Sequence, residues 1–160
     1  MALFLVIIKL NLDSGERRWF IQEMSSHFNP NCAGYQVFTE DLSQIVLVFN
    51  AKGIPSFPKG KREHINKDKR QRRETPEETA IRELKEETGL TKKDIRPIPE
   101  VITYEDSNSG KAGEIFLGTA ILLDPNFKFD PIDKAEILRA SLITIEEAMK
   151  ILAPKRQRVL

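Results

Sequence analysis

Cysteine is nearly absent: Cys32 stands alone in 160 residues. One thiol cannot close an internal disulfide, so the fold must rest on its core, and the chain suits a reducing compartment, cytoplasmic or nuclear. Beside Ala33 and Gly34, Cys32 reads as a packing residue rather than a nucleophile. Histidine is scarce too. Neither His27 nor His64 has a partner at metal-ligand spacing. His27 reads as structural, and His64 as a solvated loop residue or a substrate contact. Long apolar runs are missing. The segment 1–8 is apolar, but it lacks a basic region before it and a small-residue cleavage site after it, and it is too short to span a bilayer. It reads as a buried strand, and no membrane partner is expected. Net charge is also lacking: 25 Lys and Arg offset 24 Asp and Glu, leaving +1, which argues against a generally basic nucleic-acid coat. Disorder, collagen and a membrane bundle are excluded by 40% hydrophobic and 31% charged residues with eight Gly and nine Pro.

What remains is a chain long enough to bury a core by itself. The sequence predicts a single domain over residues 31–160, with residues 1–30 as an extension packed on it. Strands are expected at 3–10, 34–39 and 45–49, the last two joined at Glu40-Asp41. Residues 17–24 stay ambiguous between strand and helix. Residues 53–60, with two prolines and two glycines, read as a loop, and the charged run 61–73 as a solvated loop. Thr75-Pro76-Glu77-Glu78 is a capping box with proline at the first helical position, and Gly89 is a left-handed C-cap, so a helix runs from about 76 to 88. Ala80, Ile81, Leu84 and Thr88 form its packing stripe. Strands near 98–105, 114–123 and 137–143 come next, then a helix over 145–152 capped by Thr144. This order gives an α/β (α+β) fold, a mixed sheet covered by helices.

Glu83, Glu86 and Glu87 fall at i, i+3 and i+4 on the first helix, three carboxylates on one side. Like charges so placed repel, by about 0.2–0.5 kcal/mol per pair in an isolated helix. A divalent cation turns that repulsion into binding, because hard cations take carboxylate oxygens. Arg82, four residues before Glu86, can hold one carboxylate in place. The plainer alternative is a solvated acidic face. Against it stand the fixed helix ends and the preceding loop with Lys59-Gly60-Lys61.

Arg82-Glu83-Leu84-Lys85-Glu86-Glu87-Thr88-Gly89-Leu90 resembles the R-E-U-x-E-E-x-G-U core of the Nudix hydrolase motif, U being aliphatic. Glu74 stands at the family's E-x7-R spacing, and Phe57-Pro58-Lys59-Gly60-Lys61 is similar to the loop that opens the motif. The resemblance covers about residues 33–150, including Glu136-Ile137, Leu142 and Glu146-Glu147-Ala148, although an aromatic residue is frequent where Leu142 stands. The chain departs from the family at one point. Thirteen residues separate Gly60 from Glu74, eight more than the family's G-x5-E, so an insertion lies within 61–73.

The resemblance implies an α/β/α sandwich and the hydrolysis of a diphosphate linkage with Mg2+ or Mn2+. It implies Glu86 and Glu87 as principal metal ligands, aided by the Lys59 carbonyl. Glu83 would bind metal or orient the attacking water, Arg82 would position a carboxylate, and Glu74 would support the site. Glu136 is a weaker candidate ligand. Such chemistry needs charge neutralisation and positioning more than covalent catalysis. Residues 61–73 carry seven basic against two acidic residues, net +5, and residues 74–87 carry net −4. A cationic arm beside a phosphate site favours polyanions. Lys59, Lys61, Arg62, Arg70, Arg72 and Arg73 are therefore candidate substrate contacts, for a dinucleoside polyphosphate, a diphosphoinositol polyphosphate or a capped RNA end. The alternative for this segment is a disordered loop without a substrate role. A catalytically silent nucleotide- or RNA-binding module is the other class of reading, and the intact set of acids argues against it. An RNA-binding protein built on the basic loop alone is weaker still, since Phe57 is the single aromatic near that loop. Oligomeric state leaves no readable trace in the sequence.

Overall fold

A computed structural model describes residues 4–11, 17–24, 30–67, 70–105, 114–152, 157 and 160; the side chains of 1–29, 66–70 and 103–114 fall outside the description. In chain order the elements are β1 (Phe4–Asn11), β2 (Arg17–Met24), β3 (Cys32–Phe38), β4 (Gln44–Asn50), β5 (Pro55–Ser56), β6 (Lys59–Lys61), β7 (His64–Lys67), β8 (Arg70–Arg73), α1 (Pro76–Thr88), β9 (Ile95–Glu105), β10 (Glu114–Leu122), β11 (Ile137–Thr144) and α2 (Ile145–Ile151). The central sheet runs β11-β4-β3-β10-β9, with β5 on β4 and β6 on β3. The β10–β3 pair is parallel, whereas β10–β9, β11–β4 and β3–β4 are antiparallel. The sheet is therefore mixed, as expected. The ambiguous segment 17–24 is a strand, paired antiparallel with β1 from Phe4↔Met24 to Asn11↔Arg17, and β1 runs alongside β9.

Strand alternation splits the core into two layers. Ala33, Tyr35 and Val37 of β3, Val46 of β4 and Phe116, Ala120 and Leu122 of β10 pack with Ala80 and Leu84 of α1. The intervening residues Ile45, Leu47 and Phe49 of β4, with Leu117 of β10, pack with Ala148 and Leu152 around α2. The two helices thus cover opposite faces of one sheet, an α/β/α sandwich. Cys32 sits half-buried at the start of β3, without a disulfide.

Helix α1 begins and ends where its caps require. The Glu78 N–H donates to Thr75 Oγ1 (3.2 Å), and the Thr75 N–H donates to Glu78 Oε1 (3.3 Å), closing the capping box. Gly89 at φ 82° ends the helix, its N–H donating to the Lys85 carbonyl (2.9 Å). The last turn is also held from outside. The Ile132 and Asp133 N–H groups both donate to the Glu86 carbonyl (2.7 and 3.1 Å), and that of Asp130 to the Thr88 carbonyl (3.1 Å).

The charged segment 61–73 departs from expectation. It is not simply a solvated loop: β7 and β8 pair antiparallel from His64↔Arg73 to Lys67↔Arg70. The cause lies at its base rather than in a core. Glu63 and Glu74 close the hairpin, the Glu74 N–H donating to the Glu63 carbonyl (2.7 Å) and the Glu63 N–H to Glu74 Oε1 (2.7 Å). The expected loop 53–60 likewise contains the short strands β5 and β6.

Candidate functional site

The inserted hairpin returns Glu74 to the start of α1, where Glu74 organises the acidic face. Its carboxylate is buried, 4% exposed, and takes two bonds from Arg82: Nε to Oε2 (2.9 Å) and Nη2 to Oε1 (3.0 Å). The Thr79 hydroxyl adds a third donor to Oε1 (3.2 Å). Burial works to raise the Glu74 carboxyl, but Arg82 and the Glu63 N–H outweigh it and hold the group below its ordinary range. Such a pair is geometrically specific, because a planar guanidinium matches a carboxylate at two points.

Arg82 is the hub. Besides Glu74, its Nη1 reaches Glu83 Oε1 (2.7 Å) and Glu86 Oε2 (3.0 Å), and its Nη2 donates to the Lys61 carbonyl (2.8 Å). The i, i+4 contact to Glu86 is the one expected from spacing. Despite opposing burial, these carboxylates keep the guanidinium firmly charged.

Glu83 and Glu87 are buried, at 9% and 5% exposure, while Glu86 is half-exposed. The Glu83 carboxylate lies against Gly60, where any Cβ would run into it. Burial raises the Glu83 carboxyl; Arg82 opposes this, and Glu86 and Glu136 add to it. Glu87 is pushed up to about 8, first by burial and then by Glu83, with Glu136 adding and the Lys59 N–H opposing. That N–H donates to Glu87 Oε2 at 3.3 Å, and the Lys59 charge also opposes the rise. Glu136, exposed in the turn before β11, is close enough to influence both carboxylates. The backbone bonds of Ile132 and Asp133 to α1 hold that turn in place.

A buried carboxylate beside a second one is costly without a cation. Hard oxygens of this kind suit Mg2+ or Mn2+. Among the described residues, no three His, Cys, Asp or Glu side chains stand ready to grip an ion together. Arg82 Nη1 donates to one oxygen of Glu83 and one of Glu86. The donor chemistry fits a divalent metal, and Arg82 holds only that one oxygen of each carboxylate.

The basic candidates separate. Lys59 and Lys61, in β6, flank Gly60 beside the acidic face. Arg62 directs Nε to the Glu74 carbonyl (2.8 Å) and Nη1 to the Pro30 carbonyl (3.0 Å). Arg72 forks onto Glu78 (2.7 and 3.0 Å), and Arg73 reaches Asn31 Oδ1 (3.2 Å). These three arginines are engaged with the protein itself. The Arg70 side chain, His27 and residues 106–113 lie outside the described residues. His64 is exposed in β7. Sequence reasoning missed Arg62's role, the Gly60–Glu83 contact and the Ile132–Asp133 anchor. Only Gly60 carried a signal, as a glycine beside a motif whose backbone must come close.

The NUDIX domain family matches residues 30–160, and the chain belongs to that family; it is a hydrolase of the Nudix class. No curated protein matches it significantly. Solved structures share the fold. The Ap4A hydrolase of C. elegans in a binary complex superposes with a TM-score of 0.58 at 23% identity, over 75% of this chain and 83% of that one. A NUDIX-family hydrolase from Clostridium perfringens gives 0.62 at 16%, over 82% and 94%. The Nudix hydrolase RenU from M. smegmatis gives 0.59 at 16%, over 95% and 87%. Among the described residues no helix is long and apolar enough to cross a membrane.

Proposed function

We propose that this chain is a metal-dependent pyrophosphohydrolase cleaving a diphosphate linkage in a polyphosphorylated small molecule, either a dinucleoside polyphosphate or a diphosphoinositol polyphosphate. The observation that carries this reading is the buried Glu83–Glu87 pair beside half-exposed Glu86 on α1, with Arg82 holding Glu83 and Glu86. Glu86 and Glu87, with the Lys59 carbonyl, are the proposed holders of the metal, and Glu136 is a further candidate at the rim. When bound, Mg2+ or Mn2+ neutralises phosphate charge and lowers the pKa of a water molecule. Glu83 holds metal or orients the attacking water. Arg82 positions the carboxylates, and Glu74 fixes Arg82.

The substrate class rests on charge. The segment 61–73 has net +5 and joins the site through the Lys61 carbonyl on Arg82. A cationic arm so placed attracts an extended polyphosphate. Lys59, Lys61 and Arg70 are the proposed contacts.

The test is hydrolysis in Mg2+ and in Mn2+ across dinucleoside polyphosphates, inositol pyrophosphates, capped RNA, nucleotide sugars and nucleoside triphosphates. Preferred turnover of the first two supports the reading. Preference for capped RNA moves the chain to decapping, and no turnover of any substrate makes it a binding module.

A further inference from the structure

The insertion between Gly60 and Glu74 reads, by charge, as an accessory arm. Its base shows something more specific. Arg62 is the second residue after Gly60, and it connects three segments. Its N–H donates to the Asn31 carbonyl (3.0 Å), its Nη1 to the Pro30 carbonyl (3.0 Å) and its Nε to the Glu74 carbonyl (2.8 Å). Arg73, where the hairpin closes, reaches the Asn31 side chain (3.2 Å). The start of β3, the two ends of the insertion and the residue preceding the α1 cap are thus tied together around one guanidinium.

That arrangement bears on the reactive carboxylates through a short series of contacts. Arg62 and the Glu63 N–H fix the Glu74 backbone and carboxylate. Glu74 fixes two nitrogens of Arg82, and the third nitrogen of Arg82 holds Glu83 and Glu86. Without the insertion Glu74 would come soon after Gly60 and the chain itself would constrain it. With thirteen residues between them, that covalent constraint is gone and something else must restore it. Closing a loop of this length carries an entropic cost that grows slowly with length, so a few well-placed hydrogen bonds can meet it.

We propose that Arg62 is a positioning residue for the metal-site carboxylates: it fixes Glu74, and through Glu74 and Arg82 sets the orientation of Glu83 and Glu86. Its guanidinium serves this purpose rather than gripping the substrate. A planar guanidinium presents its donors in a fixed fork and reaches two carbonyls from separate nitrogens, whereas an ammonium must serve both from one. The proposal rests on the pyrophosphohydrolase reading for its kinetic part only.

The experiment compares wild type with Arg62→Ala and Arg62→Lys by Mn2+ titration calorimetry, steady-state kinetics on the best substrate of the panel, and thermal melting. Residues that orient ligands from behind commonly change metal affinity or activity about 10–100-fold when lost. Arg62→Ala is expected to weaken Mn2+ binding by about 10-fold and to lower kcat by a similar factor, with KM little changed. Arg62→Lys should recover part of both. Three results overturn the proposal. A salt-dependent rise in KM with kcat and Mn2+ affinity unchanged makes Arg62 a substrate contact. A lower melting temperature with intact Mn2+ affinity in the folded protein makes it merely structural. Wild-type Mn2+ affinity and kcat in the Lys variant show that the planar fork plays no part. If wild type turns over no substrate but binds Mn2+, the hydrolase reading fails while the titration still decides the role of Arg62. A wild type that binds no Mn2+ overturns both.

Discussion

The Glu83 carboxylate rests directly against Gly60, with no room for a Cβ between them. The β6 strand and the acidic face of α1 are therefore in backbone-to-side-chain contact. Gly60 is half-buried and paired with Ala33 of β3, so it cannot simply move aside. Gly60→Ala should displace the Glu83 carboxylate rather than unfold the protein. The expected outcome is a fall in kcat of at least 10-fold, with a melting temperature within a few degrees of wild type, since oriented ligands are sensitive to small displacements. Unchanged turnover would show that Glu83 is not held by this contact.

Glu86 and Glu87 differ in burial but share a proposed role. Replacing either by Gln keeps the shape and removes the charge. Glu86→Gln and Glu87→Gln should each abolish nearly all turnover while leaving the circular-dichroism spectrum intact. Glu87→Gln should also raise metal-free stability, because it removes a carboxylate that is costly to bury. Near-wild-type hydrolysis by both variants in saturating Mg2+ would sink the metal assignment.

How far the sequence carried these assignments depends on what holds each part. Helix α1 was legible to the residue, because Thr75, Glu78 and Gly89 act on their immediate neighbours. The Arg82–Glu86 contact could be read from helical spacing for the same reason. The β7–β8 hairpin was not legible. It offers a single apolar residue, Ile65, so no alternation marks it, and its pairing is secured by Glu63, Glu74 and Arg62 at its base. The anchoring of the 130–133 turn to the Glu86 carbonyl uses backbone groups alone, which carry no residue signature. The Glu74–Arg82 pair lay between these cases: Glu74 stands outside the helix, so helical spacing does not reach it, and only the family's motif spacing pointed to it.

Glu87 makes the metal-free protein pH-sensitive. Its folded-state carboxyl sits near 8, against 4.5 ordinarily. Between those values the folded state holds a proton that the unfolded state has released. Stability from this group is therefore full below about pH 4.5 and is lost as pH rises through about 8. Metal binding needs the ionised form and reverses the trend. In EDTA, the melting temperature should fall from pH 6 to pH 8, by a few degrees for each kcal/mol involved. The rise produced by Mg2+ should be larger at pH 8, and Glu87→Gln should flatten both effects. Equal Mg2+ shifts at the two pH values would contradict it.

The hairpin's substrate role can be separated from its structural role, because the clamp lies at its base and other cations lie further along the segment. Changing Lys67, Lys69 and Arg70 together to Gln leaves Arg62, Glu63, Arg72 and Arg73 in place and takes net charge from +5 to +2 within residues 61–73. If the arm attracts phosphates, KM for the preferred polyphosphate should rise steeply at low salt, kcat should hold, and the difference should shrink toward high salt as screening sets in over roughly 10 Å at 0.1 M. Mn2+ affinity should not move, in contrast to the Arg62 variants. An unchanged KM at low salt would discard the arm as a substrate element and leave the hairpin's function wholly in its base.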